Sequence, residues 1–112
     1  MHYVADCETV VKPDRVHAQL EGAMVFGLSL ALMGEISFAN CVVLQSSFHD
    51  YPVARINQTP AIIGTTIIPS DGALTGIGEP GAPPVALANA NAIFAASGQR
   101  LREIPFNNSF QV

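Results

Sequence analysis

Residues 13–34, PDRVHAQLEGAMVFGLSLALMG, decide the fold. Pro13 and Asp14 supply a helix start, and Val16, Leu20, Ala23, Met24, Gly27, Leu28, Ala31 and Leu32 then recur at helical spacing. Asp14, Arg15, His17 and Glu21 mark a polar side to the first turns, whereas the second half is apolar all round. A helix that is hydrophobic on every face must be covered on every face, so Val25, Phe26 and Leu30 need a partner surface beyond the one sheet that a small domain offers. Gly34 is placed to serve as the residue just past the helix end. The apolar run from Gly22 to Gly34 is shorter than the roughly twenty residues a membrane helix needs, and it reads as a buried core helix.

Working outward, Tyr3 and Val4 make a weak strand plausible over His2–Asp6. On the other side, Glu35–Phe38 and Cys41–Gln45 flank Ala39-Asn40 as a hairpin with a short turn. Ser46–Pro60 carries Pro52 and Pro60 among mixed polar residues and is expected to be an irregular connection that packs through Phe48 and Tyr51. Ala61–Ile68, rich in Ile and Thr and ended by Pro69, predicts a further strand. A loop over Ser70–Pro83 follows. Pro84 then opens a second helix with Val85, Ala88, Ala92, Ile93 and Ala96 inward, and Gly98 closes it. The order predicts an α+β fold: a two-layer sandwich of a small antiparallel or mixed sheet with two helices on one face, in a single domain over 1–112.

Composition narrows the role. The chain of 112 residues is 49% apolar and only 12% charged, against roughly 25% charged in ordinary globular domains. So few ionic side chains imply buried contact with something else. The net charge of −4, with the five basic residues scattered, argues against a nucleic-acid partner. Cys7 and Cys41 stand far apart without a CxxC or matching histidines, so they assemble neither a zinc nor an iron–sulfur site and are expected to be buried thiols. His2, His17 and His49 share no metal-ligand spacing, Ser46-Ser47 lacks a hydrolase elbow, and the neighbours His49 and Asp50 alone carry no catalytic role. MHYVADCETVVKPD has no basic segment followed by an apolar one, so no export signal is visible in it.

Gly76-Ile-Gly-Glu-Pro-Gly81 matches G-x-G-x-x-G between a predicted strand and helix. A dinucleotide site is rejected, because the strand ends too early, Pro80 removes an amide donor from the supposed cradle, and no second strand fits after the helix. A plain surface turn is the bland alternative. Glu79 raises the loop above it: one carboxylate between Gly78 and Pro80, with no basic residue from Arg55 to Arg100. Burial of that loop would disfavour the ionised form, which is how a glutamate becomes a usable base or acid near neutral pH. Within the long helix, Gly22 and Gly27 each cost about 1 kcal/mol relative to alanine, and close packing of another backbone or a ligand is the reason to expect. Gln19 offers both a donor and an acceptor to a heterocycle, although a solvated position early in a helix is the favoured account of it from spacing alone.

Three stretches taken together resemble a known family: VADCETVVKPDRVHAQLEGAMVFGLSLALMGEISF, QSSFHDYPVARINQTP and GIGEPGAPPVALANANAIFAASGQRLREIPF. In order and spacing they are similar to the end of the molybdopterin-binding large subunit of molybdenum hydroxylases. The nearest likeness is to the isoquinoline 1-oxidoreductase beta subunit and bacterial aldehyde dehydrogenases, within the xanthine dehydrogenase and aldehyde oxidase family. The resemblance implies an oxidoreductase that hydroxylates N-heterocycles or aldehydes with water-derived oxygen. It implies a molybdenum–molybdopterin cofactor, commonly in the cytosine dinucleotide form, whose dithiolene holds the metal, so that no protein side chain need ligate it. Glu79 then corresponds to the general base, Gln19 to a glutamine that hydrogen-bonds the pterin, and Gly78 to backbone near the metal centre.

Two positions depart from the pattern: Glu8 and Lys12 stand where glycine and asparagine are expected. The resemblance further implies that the chain is a C-terminal fragment, incomplete alone and inactive by itself. Its partners would be the remainder of the large subunit and a small [2Fe–2S] subunit, in a compartment left open between cytoplasm and periplasm. The alternative is a non-catalytic structural or interaction domain that self-associates through its apolar helix.

Overall fold

The structure is a computed structural model and describes residues 1–110. Its elements are β1 (His2–Ala5), α1 (Pro13–Met33), β2 (Phe38–Ala39), β3 (Val42–Val43), β4 (Gly64–Ile67) and α2 (Pro83–Ser97), with single 3₁₀ turns at Ile56–Gln58 and Phe106–Asn108. The α+β class stands. The strands form two separate ladders: β1 and β4 run parallel, with His2 opposite Gly64 and Ala5 opposite Ile67, and β2–β3 is an antiparallel hairpin. A parallel pair needs a long crossover, and here α1 lies within the connection and packs back on β4. By length and composition alone α1 could cross a bilayer, but one of its stripes forms the core of the fold.

That stripe is Val16, Leu20, Met24, Gly27, Leu28 and Ala31, the period expected of a helix with one buried face. Its first half packs with Ala5 and Cys7 and its second half with Val85, while Tyr3 borders both groups. Outside that stripe the cover is partial: Val25, Leu32 and Met33 are half-buried, whereas Phe26 is 61% and Leu30 39% exposed. Pro13 opens α1 and Asp14 sits in its first turn, but Lys12 at the N-cap makes no side-chain capping bond. Gly34 ends the helix in an extended conformation (φ −71°) and not the left-handed one expected of it. It lies close against Leu30, where a Cβ would come within 3.1 Å of the backbone.

Other expectations are corrected. The hairpin turns one residue later, at Asn40-Cys41, where both residues have positive φ (52° and 64°), as tight two-residue hairpin turns demand. Cys41 is therefore at an exposed tip, while Cys7 is buried. Phe48 is 70% exposed, and the 46–60 connection is tied to α1 through the Ala54 amide, which donates to Ser29 Oγ at 2.9 Å. In α2 only Val85 is buried. Ala88, Ala92 and Ala96 are exposed and Ile93 is half-buried, because the described residues cover this helix from the α1 side alone. Gly98 does close it in the left-handed conformation (φ 74°).

The two glycines inside α1 part company. A Cβ on Gly27 would come within 2.7 Å of the Ala82 carbonyl oxygen and 2.9 Å of Val85 Cβ, whereas one on Gly22 would meet nothing within 4 Å. Gly27→Ala is therefore expected to destabilise the chain by roughly 1–3 kcal/mol through overpacking, and Gly22→Ala to stabilise it by up to about 1 kcal/mol through helix propensity. Chemical denaturation of the two variants checks the opposite signs.

In the 46–60 connection the Asp50 carboxylate accepts from the Ser47 amide (2.9 Å), the Ser46 amide (2.9 Å) and Ser46 Oγ (3.0 Å). The Ser47 amide first, then that of Ser46, holds its pKa below the usual carboxylate value. The stability this lends the turn is present above the ordinary value of about 3.9 and lost as pH falls through the lower folded value. Amide shifts of Ser46 and Ser47 should accordingly stay constant down through the ordinary range and change only below it; a midpoint at the ordinary value would contradict the geometry.

Candidate functional site

The loop between β4 and α2 is fixed to the rest of the fold at four points. Thr9 Oγ1 donates to the Gly72 carbonyl at 3.0 Å, and Ser70 Oγ donates to Glu8 Oε2 at 2.6 Å. Tyr3 Oη donates to the Pro80 carbonyl and Gln19 Nε2 to the Gly78 carbonyl, both at 2.6 Å. Gly81 is buried against α1, where a Cβ would lie 2.5 Å from Ala23 Cβ. Strand, helix and loop thus meet around the stretch Gly78–Gly81.

The three candidate residues come together here. Gln19 touches Gly78 directly, and Glu79 follows on the same turn. A cleft of about 390 Å³ opens between α1 and this turn, lined on one side by Gln19, Gly22 and Phe26 and on the other by Gly78, Glu79 and Pro83. That size lies within the range of small-molecule sites. Glu79 is the only ionisable side chain in the lining. It is exposed, so the burial expected of this loop is not supplied by the described residues. No dinucleotide cradle exists: β4 ends at Ile67, well before Gly76, and no strand follows α2 among the described residues. Pro83 and Pro84 also deprive the first turn of α2 of amide donors.

Sequence motifs do not mark Tyr3, and Phe26 reads from sequence only as an uncovered apolar residue. The two departures at the start of α1 have visible consequences. Glu8 adopts φ 60°, the left-handed region where glycine carries no steric cost. Lys12 occupies an N-cap at which asparagine could bond the first turn.

The donor set shows what the cleft could hold. Among the described residues no three His, Cys, Asp or Glu converge on a point. A carboxamide, one carboxylate and glycines at 22 and 78, where an added Cβ meets nothing within 4 Å, suit one side of a planar organic group that brings its own metal ligands.

Residues 1–60 match the model of the molybdopterin cofactor-binding domain family. The chain is 40% identical over 100 residues to the beta subunit of isoquinoline 1-oxidoreductase from Brevundimonas diminuta, covering 89% of this chain and 13% of the relative. It is 39% identical over 102 residues to a membrane-bound aldehyde dehydrogenase of Gluconacetobacter polyoxogenes, covering 91% and 13%. With a subunit of nicotinate dehydrogenase from Pseudomonas putida the identity is 33% over 100 residues, covering 89% and 8%. The chain therefore spans only about an eighth of the length of the first two relatives. Among solved structures it resembles quinoline 2-oxidoreductase from Pseudomonas putida 86, with TM-score 0.76, 21% identity and coverage of 93% of this chain and 14% of that one. The Cu,Mo-CO dehydrogenase gives TM-score 0.72, 23% identity and coverage of 86% and 13%. At these identities the likeness speaks for the fold alone.

The Tyr3 and Gln19 bonds hold the turn in place. Tyr3→Phe is expected to cost about 0.5–1.5 kcal/mol and to speed amide hydrogen exchange at residues 78–82. Unchanged exchange there would mean that the hydroxyl does not anchor the turn.

Proposed function

The chain belongs to the molybdopterin cofactor-binding domain family, and from that premise we propose that it is the C-terminal segment of a molybdenum hydroxylase large subunit, with Glu79 as its general base. What supports the reading is the Gln19–Gly78 hydrogen bond, which sets a heterocycle-binding carboxamide and the carboxylate-bearing turn on two sides of one cleft. Gln19 orients the pterin with its remaining hydrogen-bonding capacity. Gly22 and Gly78 let the ligand reach the backbone, and the cytosine dinucleotide form of the cofactor completes the site.

Hydroxylation by water turns C–H and H₂O into C–OH with release of protons and electrons, so the site needs both a proton acceptor and an electron acceptor. When bound, the cofactor would supply the electron acceptor through its molybdenum, and a small [2Fe–2S] subunit would be the partner that takes the electrons onward. Glu79 accepts the proton from the water-derived oxygen as it attacks carbon. The substrates are N-heterocycles or aldehydes. The carboxylate is exposed here, and the remainder of the large subunit closes over it and excludes water.

A second reading rests on a different observation. Phe26, Phe38, Val42 and Leu44 are each more than half exposed, which favours an interaction domain that associates with itself through apolar surface. Metal analysis separates the two. In the complete enzyme, Glu79→Gln should lower kcat by roughly 10²–10⁴-fold with unchanged molybdenum and pterin content. Activity within a few-fold of the parent at full loading would remove Glu79 from the role, and absence of both metal and pterin would favour the interaction domain.

A further inference from the structure

We propose that α1 seats a planar, uncharged heteroaromatic ring flat on Gly22, with Phe26 as the side chain that positions it. The inference deepens the reading of the cleft given above and rests on it. Gln19, Gly22, Ala23 and Phe26 follow one another at i, i+3, i+4 and i+7, the spacing of a single helix face, and all line the cleft. The stripe is about 10 Å long at 1.5 Å per residue, with a carboxamide at one end and an aromatic ring at the other.

Two features lack a reason among the described residues. Gly22 weakens the helix by about 1 kcal/mol, yet no neighbour requires the missing side chain, in contrast to Gly27. Phe26 leaves 61% of its surface open and belongs to neither core cluster. A ring lying against the bare backbone at Gly22 explains both: the glycine supplies a flat floor and Phe26 an apolar wall for edge-to-face or offset contact. Gly78 and Pro83 face it from the other side of the cleft.

Charge sets the ring's character. Glu79 is the only ionisable lining residue, so an anionic ring meets a carboxylate and no compensating cation, and an uncharged one is favoured. Such a ring could come from the cofactor's pterin or from a heterocyclic substrate.

The test is an amide NMR titration of the full chain at neutral pH with pterin, with isoquinoline and, as the anionic control, with nicotinate. Pterin or isoquinoline should shift the amides of Gly22, Phe26 and Gly78, and nicotinate should bind at least several-fold more weakly. Tighter binding of pterin assigns the ring to the cofactor, and tighter binding of isoquinoline assigns it to the substrate. Phe26→Leu should weaken binding several-fold, up to about tenfold. Gly22→Leu, which meets no protein atom at its Cβ, should abolish binding while the chain stays folded.

The proposal is overturned if neither uncharged ring shifts these amides at roughly millimolar concentration, if nicotinate binds as tightly, or if Phe26→Leu changes nothing. In the assembled enzyme Phe26→Leu should raise KM or lower pterin content several-fold while leaving the large kcat effect of Glu79→Gln in place. That pairing separates failure of the ring seat from failure of Glu79 as base.

Discussion

The close approach of α1 to the start of α2 is the contact on which the other features depend. Gly27 admits the Ala82 carbonyl and Val85, and Gly81 fits against Ala23; a side chain at either glycine would push the two segments apart. With that contact made, the Gly78–Gly81 turn lies within reach of Gln19 and Tyr3. The carboxylate at 79 is then held beside the helix and does not swing free on a long loop. Packing thus comes first, the hydrogen bonds fix what packing allows, and the cleft is the result.

The same helix has surfaces with different purposes. One stripe carries the core, from Val16 through Leu20 and Met24 to Ala31, a second lines the cleft, and Leu30 lies in the open. A chain with so few charged residues and so much uncovered apolar surface resembles one part of a larger core. The relatives, several times longer than this chain, are of a size to supply the missing walls. The openness of the cleft and the exposure of Glu79 follow from the same shortage of cover.

Much of this architecture was legible from local rules. Pro13 announced one helix start and Pro84 the other to within a residue, since α2 opens at Pro83; Gly98 announced a helix end, and the 3.6-residue period the core stripe. What failed to appear in the sequence was decided by contacts at long range. The inward faces assigned to Ala88, Ala92 and Ala96 presumed a cover that the described residues lack, and Phe48, expected to pack, is 70% exposed among them. The hairpin slipped by one residue because Asn40 tolerates positive φ, which carried Cys41 to the surface. At the site, motif and resemblance picked out Gln19, Gly78 and Glu79. Their meeting depends on a hydrogen bond spanning 59 positions, and Tyr3, which serves the same turn across 77 positions, belongs to no local pattern.

On the function proposed, the cleft between Gln19 and Glu79 faces the molybdopterin. An experimental structure of the complete, cofactor-loaded large subunit tests it most directly. The pterin is expected against Gln19, with the Glu79 carboxylate turned toward the metal behind a wall of added polypeptide. A pterin bound elsewhere, with Glu79 still open to bulk solvent, would contradict it.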